Sequence, residues 1–195
     1  MHSQKTVGQY RGIDLFLFTV LLAVFETVIV KAATSWFPKE AWMVSAVPAV
    51  TAIVMVRWGP WCALTAAAGG IITTFTVGGG WQQYLIYAVG NLVVLAVLPL
   101  EKKWGWKKLR ESIPVNLLFG ALSVLAMHLG RAVLVMIFSG SIETAWETIA
   151  HDSITYIFTL TIVWIASRPA GLLEDQIHYL KRLSHEPEKK EGAPE

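Results

Sequence analysis

Apolar residues in this chain come in long blocks, separated by short segments rich in Lys, Arg, Trp, Gly and Pro. A membrane-crossing helix needs about 20 mostly apolar residues. Six runs approach that length: 12–34, 42–58, 60–77, 83–100, 113–138 and 148–167. The second and third are short and meet at Arg57-Trp58-Gly59-Pro60-Trp61. Gly-Pro is a strong helix breaker, so the pattern predicts a tight hairpin there instead of one long helix. Pro114 falls where the fifth run would begin its first turn, two residues after Ser112, a candidate cap. Pro169 and Gly171 close the sixth run. The predicted fold class is therefore an all-α integral membrane protein of six transmembrane helices, with residues 1–171 as its membrane domain. Beyond it, Leu173, Ile177 and Leu180 recur at helical spacing beside Lys181 and Arg182, which predicts a short amphipathic helix on the membrane surface. The tail from Glu186, with Pro187, Pro194 and mixed Glu and Lys, reads as disordered. Residues 172–195 are thus expected to form a small cytoplasmic appendage.

Charge fixes the orientation. The stretch 101–111, Glu-Lys-Lys-Trp-Gly-Trp-Lys-Lys-Leu-Arg-Glu, carries five basic residues between two apolar runs. Short basic loops stay on the cytoplasmic side. With six spans, both termini fall on that same side. Thirteen of the 16 Lys and Arg residues then lie inside, and only Lys31, Lys39 and Arg131 lie in the outer half or outside. The tryptophans sort into two belts, Trp58, Trp61, Trp104, Trp106 and Trp164 inside and Trp36, Trp42, Trp81 and Trp146 outside, as amphipathic rings do at the two interfaces.

Composition supports a bilayer as solvent. The chain has 195 residues, 54% hydrophobic and 15% charged, where a soluble domain carries about a quarter charged residues. A net charge of +2 gives no sign of a nucleic-acid partner. Cys62 is the single cysteine, which excludes an internal disulfide and a cysteine-based metal cluster. The polar N-terminus, 1–11, lacks a small-residue cleavage site, so the first run reads as a retained span.

Polar residues inside the spans carry the candidate chemistry. An ionisable group at the centre of a membrane costs roughly 2.5–3.5 kcal/mol on insertion scales and marks a functional site by default. His128 and Arg131 are three apart and share a face of the fifth span. Asp152, Thr155, Tyr156 and Thr159 form a stripe on the sixth, and Tyr84, Tyr87 and Asn91 one on the fourth. Glu26 and Lys31 on the first span are five apart, about 140° around a helix, so each needs a partner elsewhere. All of these fall on the outer side of the midplane, with Trp36, Trp81, Trp146, Gln82, Gln83 and Glu143 in the adjoining outer loops. The set Glu26, Lys31, Trp36, Trp81, Tyr84, Tyr87, Asn91, His128, Arg131, Trp146, Asp152 and Tyr156 reads as a polar and aromatic pocket for a small water-soluble molecule. Plain structural readings stand beside it: Lys31 snorkelling to the interface, Trp36 and Trp146 as anchors, and Arg131–Asp152 as an internal pair.

Other chemistries find less support. His128, His151 and Asp152 could offer two nitrogens and a carboxylate, but no His-Glu-x-x-His spacing accompanies them. His2, next to Met1, has no neighbouring ligand pattern, and no metal site is expected. Gly78-Gly79-Gly80 is followed by Trp81-Gln82 and not by Lys-Ser, so the chain is not expected to hydrolyse ATP itself; with no metal-ligand spacing of the His-Glu-x-x-His kind either, it is not expected to be an enzyme or to carry a cofactor. Thr19, Ala23 and Thr27, four apart on the first span, form a small-residue face of the kind that lets helices approach closely in lipid. Ala63, Ala67, Gly70 and Thr74 mark a similar face on the third. Either face can serve packing within the chain or docking of another membrane protein.

Over roughly 12–168 the chain resembles the substrate-binding S components of energy-coupling factor (ECF) transporters. The likeness rests on Ala63-Leu-Thr-Ala-Ala-Ala-Gly-Gly, the Gly-Gly-Gly-Trp loop, and Tyr84-Leu-Ile-Tyr-Ala-Val-Gly-Asn91 leading to the basic stretch. The family's Ala-x-x-x-Ala docking face on the first helix corresponds here only to Thr19, Ala23 and Thr27. The longer His-containing start of the nickel and cobalt members is missing, so His2 imports no metal substrate. The resemblance implies a six-helix protein of the cell membrane with cytoplasmic termini. Such a protein captures a vitamin-like micronutrient from outside and docks on a transmembrane coupling protein bound to two ATPase subunits. The rival expectation, from another class, is a structural membrane scaffold component without a small-molecule pocket.

Overall fold

The computed structural model describes residues 6–36, 44–150 and 152–185. Every element among them is helical. His2, Lys39, Trp42, His151 and the tail from Glu186 lie outside the described residues. The elements are α1 (Val7–Trp36), α2 (Val47–Trp58), α3 (Cys62–Val77), α4 (Trp81–Gly90), α5 (Leu98–Glu111), α6 (Ile113–Ser139), α7 (Ile142–Ala150), α8 (Ser153–Ala166) and α9 (Gln176–His185).

Four helical stretches are long and apolar enough to cross a membrane: Val7–Trp36, Val47–Val77, Trp81–Glu111 and Ile113–Ser139. The pair α7 and α8, bent by 41° at their junction, makes a fifth if counted together. Length alone misrepresents Val47–Val77. A Cβ added to Gly69 would lie 2.6 Å from the Val47 side chain, whereas 22 residues of continuous helix would separate these positions by about 33 Å. The stretch is a hairpin, turned at Gly59, whose φ of 59° and ψ of −125° are not helical. The Gly-Pro turn expected from the sequence is present. Its arms, 12 and 16 residues long, measure only about 18 and 24 Å, shorter than a hydrocarbon core of ~30 Å.

The basic stretch 101–111 differs from the expected loop. It is helical within α5, interrupted at Gly105 with φ 71° and ψ 152°. Leu109 is fully buried in the core, and Trp104 and Trp106 pack against it, which gives this segment an apolar seam that a solvated loop would lack. Ser112 does occupy the N-cap of α6 with Pro114 in the first turn, but its hydroxyl makes no capping bond. The segment after α8 is tied to the rest: Leu173 is fully buried in the same core, and Leu180 packs against it.

α4 does not run directly into α5. Residues Asn91–Val97 form a seven-residue 3₁₀ helix. Runs beyond three or four residues are uncommon because the hydrogen-bond geometry is poorer. The start of this segment is held by a backbone contact between Gly90 and Gly130. A Cβ on Gly130 would collide with the Gly90 carbonyl oxygen, so only glycine allows this approach of α4 to α6.

The inward stripe of α1 is Leu15, Leu22, Glu26 and Val30, and α1 packs chiefly on α3. Its opposite face, including Phe16, Val20, Val24, Phe25 and Val28, is exposed and apolar. Such a face suits lipid as solvent.

Candidate functional site

Two polar clusters sit at opposite ends of the helical core. The first lies far from the basic stretch, where α4, α6 and α8 meet. The Gly90–Gly130 contact brings the next residues, Asn91 and Arg131, side by side. Arg131 Nε donates to Asn91 Oδ1 at 2.7 Å, and Asn91 Nδ2 donates to the Ala66 carbonyl at 3.0 Å. Arg131 Nη1 donates to Asp152 Oδ2 at 3.1 Å. His128 Nε2 lies 2.8 Å from the same oxygen. The Tyr87 ring lies under the guanidinium at 4.7 Å, in cation–π range. Tyr156 packs on the His128 ring with centroids 5.2 Å apart. The i, i+3 spacing of His128 and Arg131 puts both on one face of α6, and Asp152 precedes the first turn of α8 to receive them.

Glu26 extends this cluster from α1. Its carboxylate accepts from Ser45 Oγ (2.9 Å), Thr73 Oγ1 (2.6 Å) and the Ala46 N–H (2.7 Å). The Ser45 N–H donates in turn to Thr155 Oγ1 on α8 at 3.1 Å. The Arg131 guanidinium is thus paired with the Asp152 carboxylate, while Glu26 is held by two hydroxyls and a backbone N–H. Buried polar groups persist when they are hydrogen-bonded, and buried charges when they are paired. Two atoms are left over. Arg131 Nη2 and His128 Nδ1 are buried and make no hydrogen bond to any described residue.

The structure thus gathers Glu26, Tyr87, Asn91, His128, Arg131, Asp152 and Tyr156 of the residues singled out from the sequence. Glu26 and Lys31 do not pair: Glu26 is buried and Lys31 exposed. Trp36, Trp81 and Trp146 are 67–76% exposed, and Trp81 stands edge-on to Phe138. Tyr84 is half-buried. Sequence reading missed Ser45 and Thr73. Small hydroxyl residues give no signal until the fold places them against Glu26.

The second cluster, at the basic end, was also missed. Arg57 grips Asp14 with both Nε (2.8 Å) and Nη2 (2.9 Å), and Trp58 Nε1 donates to the same carboxylate at 2.6 Å. Arg57 Nη1 reaches the carbonyls of Gly171 and Leu172. A bidentate Arg–carboxylate pair is among the strong hydrogen-bonded contacts. Here it locks α1, α2 and the chain after α8 together.

The small-residue faces have internal uses. Gly70 on α3 abuts the Tyr87 and Ala88 backbone, and Gly69 abuts Val47 and Leu22. Thr19, Ala23 and Thr27 are half-buried, beside the inward stripe of α1, and Thr19 Oγ1 donates to the Leu15 carbonyl.

Comparison with protein families, with curated proteins and with solved structures finds no match to this chain.

Proposed function

We propose that this chain is the membrane-embedded substrate-capture subunit of an ATP-driven importer of the ECF type. In this reading it crosses the cell membrane six times, with α2 and α3 as two short spans and both termini in the cytoplasm. The Arg131 cluster then faces outward and binds a vitamin-like small molecule. The coupling protein and its two ATPase subunits are the partners, docking on the first helix near Thr19, Ala23 and Thr27.

One observation supports this reading most. Arg131 Nη2 and His128 Nδ1 keep unused hydrogen-bonding capacity in an apolar interior. Leaving a buried polar atom unpaired costs about 1–3 kcal/mol. A ligand that accepts from the guanidinium and donates to the imidazole would recover that cost, and this recovery is binding energy. Tyr87 and Tyr156 add aromatic walls. With Asp152 already paired to Arg131, a neutral polar ring fits the local charge better than an anion. Asp152, at 7%, together with half-buried Tyr87 and Tyr156, marks the more open side of the cluster.

The second reading, a structural scaffold component, is favoured by the closure of the same cluster: Asn91, His128 and Arg131 are at most 1% exposed. Mass spectrometry of the full chain purified in mild detergent separates the two. The capture reading expects a small molecule to co-purify in stoichiometric amount with the parent and to be lost from Arg131→Ala. A chain that carries no small molecule when isolated from cells grown in rich medium would remove the capture reading.

A further inference from the structure

A groove of about 330 Å³ opens between α6 and α8. It is lined by Ile113, Leu117, Ile157, Leu160, Thr161 and Trp164. The two helices touch closely at Gly120, where a Cβ would lie 3.2 Å from the Leu160 side chain, and Leu160 also lines the groove. The Thr161 hydroxyl, the one polar group among the lining side chains besides the indole N–H, is satisfied by the Ile157 carbonyl at 2.8 Å. The floor therefore asks for an apolar occupant.

Charge chooses which one. The lining runs about 10 Å along α8, from Ile157 to Trp164, an apolar strip on which a hydrocarbon chain can lie lengthwise. At the basic end the groove finishes at Trp164, and the exposed Arg168 guanidinium stacks on that indole at 4.8 Å. A cation one turn beyond an apolar slot, at the depth where Trp belts sit, complements a phosphate.

We propose that this groove is a binding site for one acyl chain of an anionic phospholipid, whose headgroup phosphate pairs with Arg168. The inference rests on the chain being membrane-embedded and not on the capture function.

Vesicles of equal parts phosphatidylglycerol and phosphatidylcholine provide the test. The full chain is reconstituted, re-extracted in mild detergent and weighed by native mass spectrometry. The parent should retain one phosphatidylglycerol in preference to phosphatidylcholine. Arg168→Gln should lower that preference about fivefold, the usual effect of one basic residue at an anionic surface. Thr161→Trp and, independently, Leu117→Phe should fill the groove and lose the bound lipid of either kind. Val133→Trp, at a position 58% exposed outside the groove lining, should retain lipid as the parent does. Equal retention of both lipids by the parent, unchanged retention in both filling variants, or a dimer in place of the lipid adduct would overturn the site. An Arg168→Gln variant with undiminished preference would overturn the headgroup contact. Failure of the parent to sediment with the vesicles would count against membrane embedding itself.

Discussion

Arg131→Ala separates what the Arg131 cluster does for stability from the binding proposed for it. The change removes three things at once: the bond to Asn91, the bond to Asp152 and the cation over Tyr87. The Asp152 carboxylate is then left with His128 as its remaining named partner. Removing one member of a buried ion pair costs about 3–5 kcal/mol, because the other charge stays desolvated. Double-mutant cycles within membranes run smaller, with single hydrogen bonds near 0.6 kcal/mol, so the lower end, about 3 kcal/mol, is expected. For a chain of this length that is a fall of about 6–12 °C in Tm. Asp152→Asn keeps an acceptor for His128 and Arg131 and removes only the charge; it should cost about 1–2 kcal/mol.

The double variant decides the matter. With no guanidinium to leave the carboxylate unpaired and no carboxylate to be left, Arg131→Ala/Asp152→Asn should melt higher than Arg131→Ala alone, a coupling of about 1–3 kcal/mol. Cys62 supplies the assay. It is the single cysteine, fully buried, so a thiol-reactive dye reports its exposure as the detergent-solubilised protein unfolds. Additive losses in the double variant would refute the pairing argument. On the capture reading, a small molecule carried by the parent should not return to the double variant, even as its stability recovers. Recovery of both would make Arg131 a purely structural residue.

Three further outcomes are expected. In a Cys62-free background, single cysteines at positions 80 and 143 should label from outside intact cells, and one at 106 only after permeabilisation; outside labelling at 106 would invert the orientation. Gly130→Ala should lower Tm by several degrees, since its Cβ meets the Gly90 backbone, whereas Gly12→Ala, with nothing within 4 Å, should leave thermal unfolding unchanged or slightly improved; equal effects would dismiss the α4–α6 contact as a stabilising feature. Ala23→Trp should abolish reconstituted ATP-driven uptake yet spare ligand binding, because a large ring on a small-residue face holds a partner helix away; loss of both would show that the face packs within this chain.

What the sequence made legible follows from what determines it locally. The hairpin at Gly59-Pro60 was readable because a breaker acts on its own neighbours, whatever the fold. The face shared by His128 and Arg131 was readable because residues three apart on a helix land on one side. Asp152 could be placed near them only by assuming that the fifth and sixth spans are neighbours, and the structure packs α6 on α8. The 3₁₀ segment Asn91–Val97 was not legible. Its residues, Asn-Leu-Val-Val-Leu-Ala-Val, suit an α-helix as well, and the tighter winding arises between the Gly90–Gly130 contact on one side and Pro99 on the other.

Asp14 shows most plainly where charge reasoning stops. Counting basic residues by loop assigned Arg57 to orientation alone, since the positive-inside rule gives acids little weight. An acid two residues inside the first span was a signal of a different kind. A carboxylate at that depth needs a partner, and the partner must come from a helix that ends at the same level. Arg57, the last basic residue before the Gly-Pro turn, satisfies that condition, and the bidentate grip on Asp14 follows. The same argument explains why Glu26 took no arginine. At its level the neighbouring chain enters α2 through Ser45 and Ala46, whose hydroxyl and N–H already point at the carboxylate. Depth within the apolar layer, not distance along the chain, decides which polar groups in this protein meet.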